Sequence, residues 1–99
     1  MEKWKDIKGY EGLYQVSNLG RIKSFQKEPE GRIMHVSWGN WADYHVVLSK
    51  NGRQRGFSVH RLVAQAFVPN PHPRKFTIVY ARDGDRTNCR ADNLYWGSK

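Results

Sequence analysis

Short runs of alternating hydrophobic and polar residues recur through the first sixty positions, and the period then lengthens once, near residue 59. Tyr14-Gln15-Val16-Ser17 alternates, Asn18-Leu19-Gly20 turns, and Arg21-Ile22-Lys23-Ser24-Phe25 alternates again. That pattern predicts a β-hairpin whose second arm points Ile22 and Phe25 inward. The stretch before it, Trp4 to Leu13, has two glycines and no helical period, and reads as an ordered loop pinned by Trp4 and Tyr10. Lys27 to Gly31 is polar, carries Pro29, and reads as a loop. Ile33 to Trp38 and Tyr44 to Leu48 predict two more strands around Gly39-Asn40, with Tyr44, Val46 and Leu48 on one face. Asn51-Gly52 then signals a tight hairpin, because both residues tolerate positive φ. A further strand is expected over Gly56 to Ser58.

From here the spacing is helical. Val59, Leu62, Val63, Ala66 and Phe67 fall on one stripe at i, i+3, i+4, i+7 and i+8, with Arg61 and Gln65 on the wet face. Ser58 suits the N-cap, and Pro69-Asn70-Pro71 ends the helix. The last third predicts a strand at Thr77 to Tyr80, a turn at Asp83-Gly84 and a short helix near Ala91 to Tyr95. No repeat, low-complexity tract or flexible linker interrupts the chain. The fold class expected is α+β: small antiparallel hairpins plus an amphipathic helix, in a single compact domain over 1–99.

Composition supports a packed core, though a modest one. The 99 residues include 13% aromatics and four tryptophans, which a disordered charged chain would lack. One cysteine, Cys89, excludes an intrachain disulfide and a Cys-based zinc site. No apolar run approaches the ~20 residues of a membrane span, and the amino end is unlike a signal peptide. A soluble, cytoplasmic protein with no membrane partner is therefore expected.

Charge sharpens the picture. The formal net charge is +8, and it is uneven. Residues 1–49 hold seven basic and six acidic residues, whereas residues 50–99 hold ten basic and three acidic. Seven of those ten are Arg, which binds phosphate bidentately. A solvated face is the plain reading, but Arg interleaved with aromatics points to a polyanion, with counterion release supplying affinity. Charge alone does not separate DNA from RNA.

Chemistry is sparse by comparison. No Gly-rich phosphate loop, Ser/His/Asp arrangement or zinc signature is present. His35, His45, His60 and His72 lack metal-ligand spacing, and His60, beside the apolar stripe, reads as structural.

Trp4 followed by Gly9-Tyr10-Glu11-Gly12-Leu13-Tyr14-Gln15-Val16-Ser17-Asn18-Leu19-Gly20-Arg21-Ile22-Lys23-Ser24 resembles the modular DNA-binding motif at the amino end of many phage homing endonucleases. His60 to Pro71 is similar to the helix that precedes their HNH nuclease motif. Asp83-Gly84, Thr87-Asn88 and Asn93-Leu94 with Trp96 resemble that motif's second half. The resemblance divides the chain into a DNA-binding motif at 1–26, a hairpin region at 27–58, and a helix plus partial ββα-metal (His-Me finger) unit at 59–99. It implies metal-assisted hydrolysis of duplex DNA in a phage-infected or bacterial cell. A histidine at the strand end acts as general base, one Mg²⁺ or Mn²⁺ holds the scissile phosphate, and an asparagine matched by Asn93 holds the hairpin.

The chain departs from this pattern at the centre. The base position is Ala81, and the preceding ligand position is Tyr80, a poor donor to hard cations. A further family ligand, about nine residues beyond Asn93, would fall past Lys99. Asp83 and Asn93 are the remaining weak metal candidates, and Asn88 and Asn93 the remaining catalytic-motif positions; Asp83 and Asn88 chiefly shape the turn. The chain as written is expected to be inactive, with no metal needing to be bound. Two readings stay open: a silenced HNH endonuclease, or a naturally dead relative that regulates or inhibits through DNA or a protein partner. DNA contacts are expected from Arg21, Lys23, Lys50, Arg53, Arg55, Arg61, Arg74, Lys75, Arg82, Arg86 and Arg90. The tip of the Lys50–Arg55 hairpin is the clearest phosphate-positioning element.

Overall fold

Among the described residues, three small antiparallel sheets pack around one α-helix. A computed structural model describes residues 1–34, the backbone of 37 and 38, and residues 44–85 and 88–98. The predicted Gly39-Asn40 turn, His35, Trp41, Arg86 and Thr87 lie outside the described residues, as does the Trp38 side chain.

The first sheet runs in the order β1 (Trp4–Asp6), β2 (Tyr14–Ser17), β3 (Ile22–Ser24), β4 (Arg32–Ile33). The β2–β3 hairpin forms as predicted, with Val16 opposite Ile22 and both fully buried. Two expectations need correction. Trp4 to Asp6 is a strand, not a loop, because its backbone pairs with β2 from Trp4↔Ser17 to Asp6↔Gln15. Only the following turn is irregular; it is closed by the Ile7 N–H on the Tyr14 carbonyl at 3.1 Å, with Gly9 and Gly12 at positive φ. Phe25 does not continue the inward row of Ile22. Residues three apart in a strand face opposite ways, and Phe25 lies past the end of β3, half-buried, its N–H on the Leu13 carbonyl at 2.9 Å.

The second sheet joins β5 (Ser37–Trp38), β6 (Tyr44–Lys50) and β7 (Arg53–Ser58). The expected single strand over Ile33 to Trp38 is thus shared between two sheets, with β4 in one and β5 in the other. Val46 and Leu48 face the core. Asn51 (φ 53°) and Gly52 (φ 76°) make the predicted turn with two positive-φ residues. That turn extends β7 back to Arg53, opposite Lys50, three residues earlier than the polar Arg-Gln-Arg run suggests.

The helix α1 (Val59–Phe67) follows directly. Ser58 holds the extended N-cap geometry but makes no side-chain cap bond. Val59, Leu62 and Val63 are buried as expected, Ala66 and Phe67 only partly. Ala64 is buried as well, because β2, β6, β7 and β9 (Leu94–Gly97) all contact the helix and widen its covered arc. The last sheet pairs β8 (Ile78–Ala81) with β9. Here the predicted helix at Ala91 to Tyr95 is overturned. A single 3₁₀ turn, Ala91–Asn93, leads straight into β9, whose backbone bonds and cross-strand partners (Tyr80↔Tyr95, Val79↔Trp96) outweigh local helical preference.

The core is Ile7, Tyr14, Val16, Ile22, Val46, Leu48, Val59, Leu62, Val63, Ala64, Cys89 and Leu94. Long-range polar bonds set how the sheets dock. The buried Tyr14 hydroxyl accepts from the Ser49 N–H at 3.0 Å and from Gln26 Nε2 at 2.9 Å, tying the first sheet to the second. The β2–β3 turn docks on the segment before β9: the Ala91 N–H donates to the Asn18 carbonyl at 2.8 Å. Gly20 lies so close that a Cβ there would sit 2.9 Å from that of Cys89. No helix among the described residues is long and apolar enough to cross a membrane.

Candidate nuclease centre and DNA-facing surface

Pairing between β8 and β9 sorts the hairpin into two faces. Val79, Ala81, Leu94 and Trp96 share the side on which Leu94 is buried and Val79 and Trp96 pack on the core. Ile78, Tyr80, Tyr95 and Gly97 share the other. Ala81 ends β8, opposite Leu94, and is half-buried. The turn begins at once, with the Gly84 N–H on the Ala81 carbonyl at 3.1 Å and Gly84 at φ 77°.

Beyond Ala81, three side chains lace the connection together. Asn93, buried, donates from Nδ2 to Asp83 Oδ1 at 3.1 Å and to the Asn88 carbonyl at 2.9 Å. Its Oδ1 accepts from the Asp83 N–H at 3.2 Å. Asp83 Oδ1 also accepts from the Asp85 N–H at 2.8 Å, and Oδ2 from Asn88 Nδ2 at 3.1 Å. The Asp85 N–H foremost, then the Asn88 and Asn93 amides, hold the Asp83 carboxyl below the usual carboxylate range. Asp83, Asn88 and Asn93, matched separately by sequence, thus form one connected clasp.

A divalent ion does not fit the described residues. Position 81 offers a methyl. Tyr80 donates its hydroxyl proton to the Ser98 carbonyl at 3.0 Å, stacks on Tyr95 and lies across Gly97, where a Cβ would come within 2.8 Å of the ring. Both Asp83 oxygens and both ends of the Asn93 amide are engaged within the clasp. Among the described residues no group of three or more His, Cys, Asp or Glu could hold a metal. His60 lies in the first turn of α1, His45 on β6 and His72 beyond the helix.

The predicted DNA contacts do not form one uniform patch. Arg21 is engaged bidentately by Glu2, through Nε at 2.8 Å and through Nη2, and lies over Trp4. Hydrogen bonding from Arg21 lowers the Glu2 carboxyl to a pKa of about 2. Lys23 sits 4.1 Å from the centre of the Trp4 ring. Arg61 donates to the Thr77 carbonyl at 3.0 Å and lies 5.9 Å from the centre of the Trp96 ring, and Arg82 lies over Tyr95. Arg90 is 3.6 Å from Asp92, and Arg74 and Lys75 are exposed on the connection after α1. Lys50, Arg53 and Arg55, in contrast, converge with Tyr10, Asn51 and Gln54 around an open cleft of about 600 Å³. Lys50 Nζ is braced on the Gly9 carbonyl at 2.8 Å and Arg55 on the Phe57 ring. The hairpin tip was legible in sequence. The contribution of Tyr10 was not, since forty residues separate it from Lys50.

Fold and centre together define an α+β protein that ends its described chain in an HNH-type hairpin. The NUMOD4 motif matches residues 2–48, and the HNH endonuclease family matches residues 57–99. The DNA endonuclease I-HmuI of Bacillus phage SP01 is 37% identical over 94 residues, which cover 95% of this chain and 51% of that protein. An uncharacterized HNH endonuclease of Acanthamoeba polyphaga mimivirus is also 37% identical over 94 residues, covering 95% of this chain and 26% of its own. The solved structure of the HNH homing endonuclease I-HmuI superposes with a TM-score of 0.83 at 36% identity, over 97% of this chain and 52% of that one. Over nearly its whole length the chain is thus similar to HNH homing endonucleases, with a NUMOD4 motif in its first half and an HNH endonuclease motif in its second. It spans about half the length of I-HmuI and about a quarter of the mimivirus relative.

Proposed function

We propose that this chain grips duplex DNA as HNH homing endonucleases do but leaves the phosphodiester intact. The observation that carries the second half is Ala81: at the end of β8, two residues before Asp83, stands a side chain that cannot accept a proton. The clasp around Asp83 and the stacked Tyr80 support the same reading, since neither leaves a ligand set for the Mg²⁺ or Mn²⁺ the family chemistry calls for. The grip is assigned first to the Lys50–Arg55 tip, whose three cations flank one cleft and suit a phosphate strand. I-HmuI is described as binding and cleaving DNA, which supports DNA as the polyanion here.

The test combines gel-shift titration of a duplex with plasmid nicking in Mg²⁺ and in Mn²⁺. The chain is expected to retard duplex and to leave supercoiled plasmid uncut. Replacing Arg53 and Arg55 together should weaken binding alike for unrelated sequences. Ala81→His alone should stay silent, because no hard-cation site lies beside it. Metal-dependent nicking by the unaltered chain, lost with EDTA, would overturn the proposal.

A further inference from the structure

On other residues than the β6–β7 tip, a second cleft of about 580 Å³ opens between the loop after β1, the wet side of α1 and the connection to β8. Its volume is that of a small-molecule site, ~300–1,000 Å³. Two aromatic residues, Phe76 and Trp96, line it together with Leu62 and Val68. Trp96 is fixed, its Nε1 donating to the Val68 carbonyl at 2.9 Å. Two cations line it as well. Lys8 forms no ion pair among the described residues, and Arg61 spends Nη1 on the Thr77 carbonyl. The acidic side chain lining the cleft, Asp6, accepts from Gln15 Nε2 at 3.4 Å. Gln65, exposed on α1, also lines it with an amide that makes no hydrogen bond among the described residues.

Aromatic lining residues, two cations and an uncommitted amide are complementary to three parts of one ligand: a planar ring, an anion and a hydrogen-bonding ring edge. A bare phosphate would leave the aromatic lining uncovered, and an acidic peptide does not call for it. We infer that this cleft binds a mononucleotide unit, its base against Phe76 and Trp96, its phosphate between Lys8 and Arg61, and its base edge on the Gln65 amide. An aromatic surface beside cations accepts any base by its π-face, while the amide supplies the edge contact. The unit can be a free nucleotide or an unpaired base of a strand; the chemistry is the same.

Isothermal titration of the full chain with AMP, adenosine and inorganic phosphate tests this. AMP is expected to bind at least tenfold more tightly than adenosine or phosphate alone. Gln65→Ala should weaken AMP by about fivefold and Lys8→Ala by about tenfold, the range expected for a neutral and a charge-assisted hydrogen bond. Both variants should melt as the parent does, since neither side chain is buried. A duplex with one extrahelical base preferred over its paired counterpart, and that preference lost in Gln65→Ala, identifies a strand as the source; free AMP binding without the preference identifies the free nucleotide. Joint replacement of Arg53 and Arg55 should leave AMP binding unchanged, which separates this site from the duplex grip. AMP binding no tighter than phosphate, binding untouched by both cleft variants, displacement of AMP by an equal concentration of poly-glutamate, or self-association blocked by Gln65→Ala would each overturn the inference.

Discussion

At Ala81 the side chain carries little of the fold, because the β8–β9 ladder is made by backbone groups and the partner Leu94 supplies the burial. Asp83 is the opposite case. Its carboxylate is what the Asp85 N–H and the Asn88 and Asn93 amides bond to, so its charge is part of the structure. Glu2, paired with Arg21, behaves likewise at the other end of the chain. Both carboxyls have folded pKa values below their unfolded ones. Their stabilisation is therefore complete above the ordinary carboxylate value and disappears as pH falls through the lowered one. For Glu2 the window runs from 4.5 down to about 2. Melting temperature should hold above pH 4.5 and fall below it, and Glu2→Gln and Asp83→Asn should each narrow that fall. A deficit of Glu2→Gln that stays constant across the whole window would remove the pair from the account.

Among the elements, α1 is the hub, packed on strands of all three sheets. Adjacent residues on it separate two kinds of contribution. Leu62 is 3% exposed, and Leu62→Ala should cost ~2–5 kcal/mol by leaving a cavity in a small core. Arg61 is exposed but fastens the helix to the entry of β8 through Thr77, so Arg61→Ala should cost ~0.5–1.5 kcal/mol, a single hydrogen bond. Urea unfolding of the two variants checks the order. A larger loss for Arg61→Ala than for Leu62→Ala would mean that the helix is held by its edge contacts instead of its core stripe.

Over the whole molecule, the +8 charge is distributed by use. Lys23, Arg55, Arg61 and Arg82 lie against aromatic rings and stiffen the surface, which keeps their charge at a fixed place without removing it. Preorganised cations of this kind favour a polyanion through counterion release. With about five phosphates neutralised, log K for duplex binding should fall with log salt at a slope of roughly −4 to −5. A flat dependence in a filter-binding series would leave the charge without its proposed role.

Local chemistry was sufficient for much of this protein. Asn51-Gly52 dictates its turn because both residues accept positive φ, and the 59–67 stripe dictates a helix because its period matches no strand. Wherever the outcome depended on a distant partner, the tertiary structure decided. Trp4 to Asp6 became a strand because β2 lay beside it, and Leu94 to Gly97 did so because β8 did. Ala64 was buried by sheets closing on both sides of its helix. Tyr10 met Lys50, and Gln65 and Trp96 came to line one cleft, only once the chain had folded back upon itself. Turn and period are properties of a few neighbouring residues; pairing, burial and clefts are properties of residues brought together from far apart.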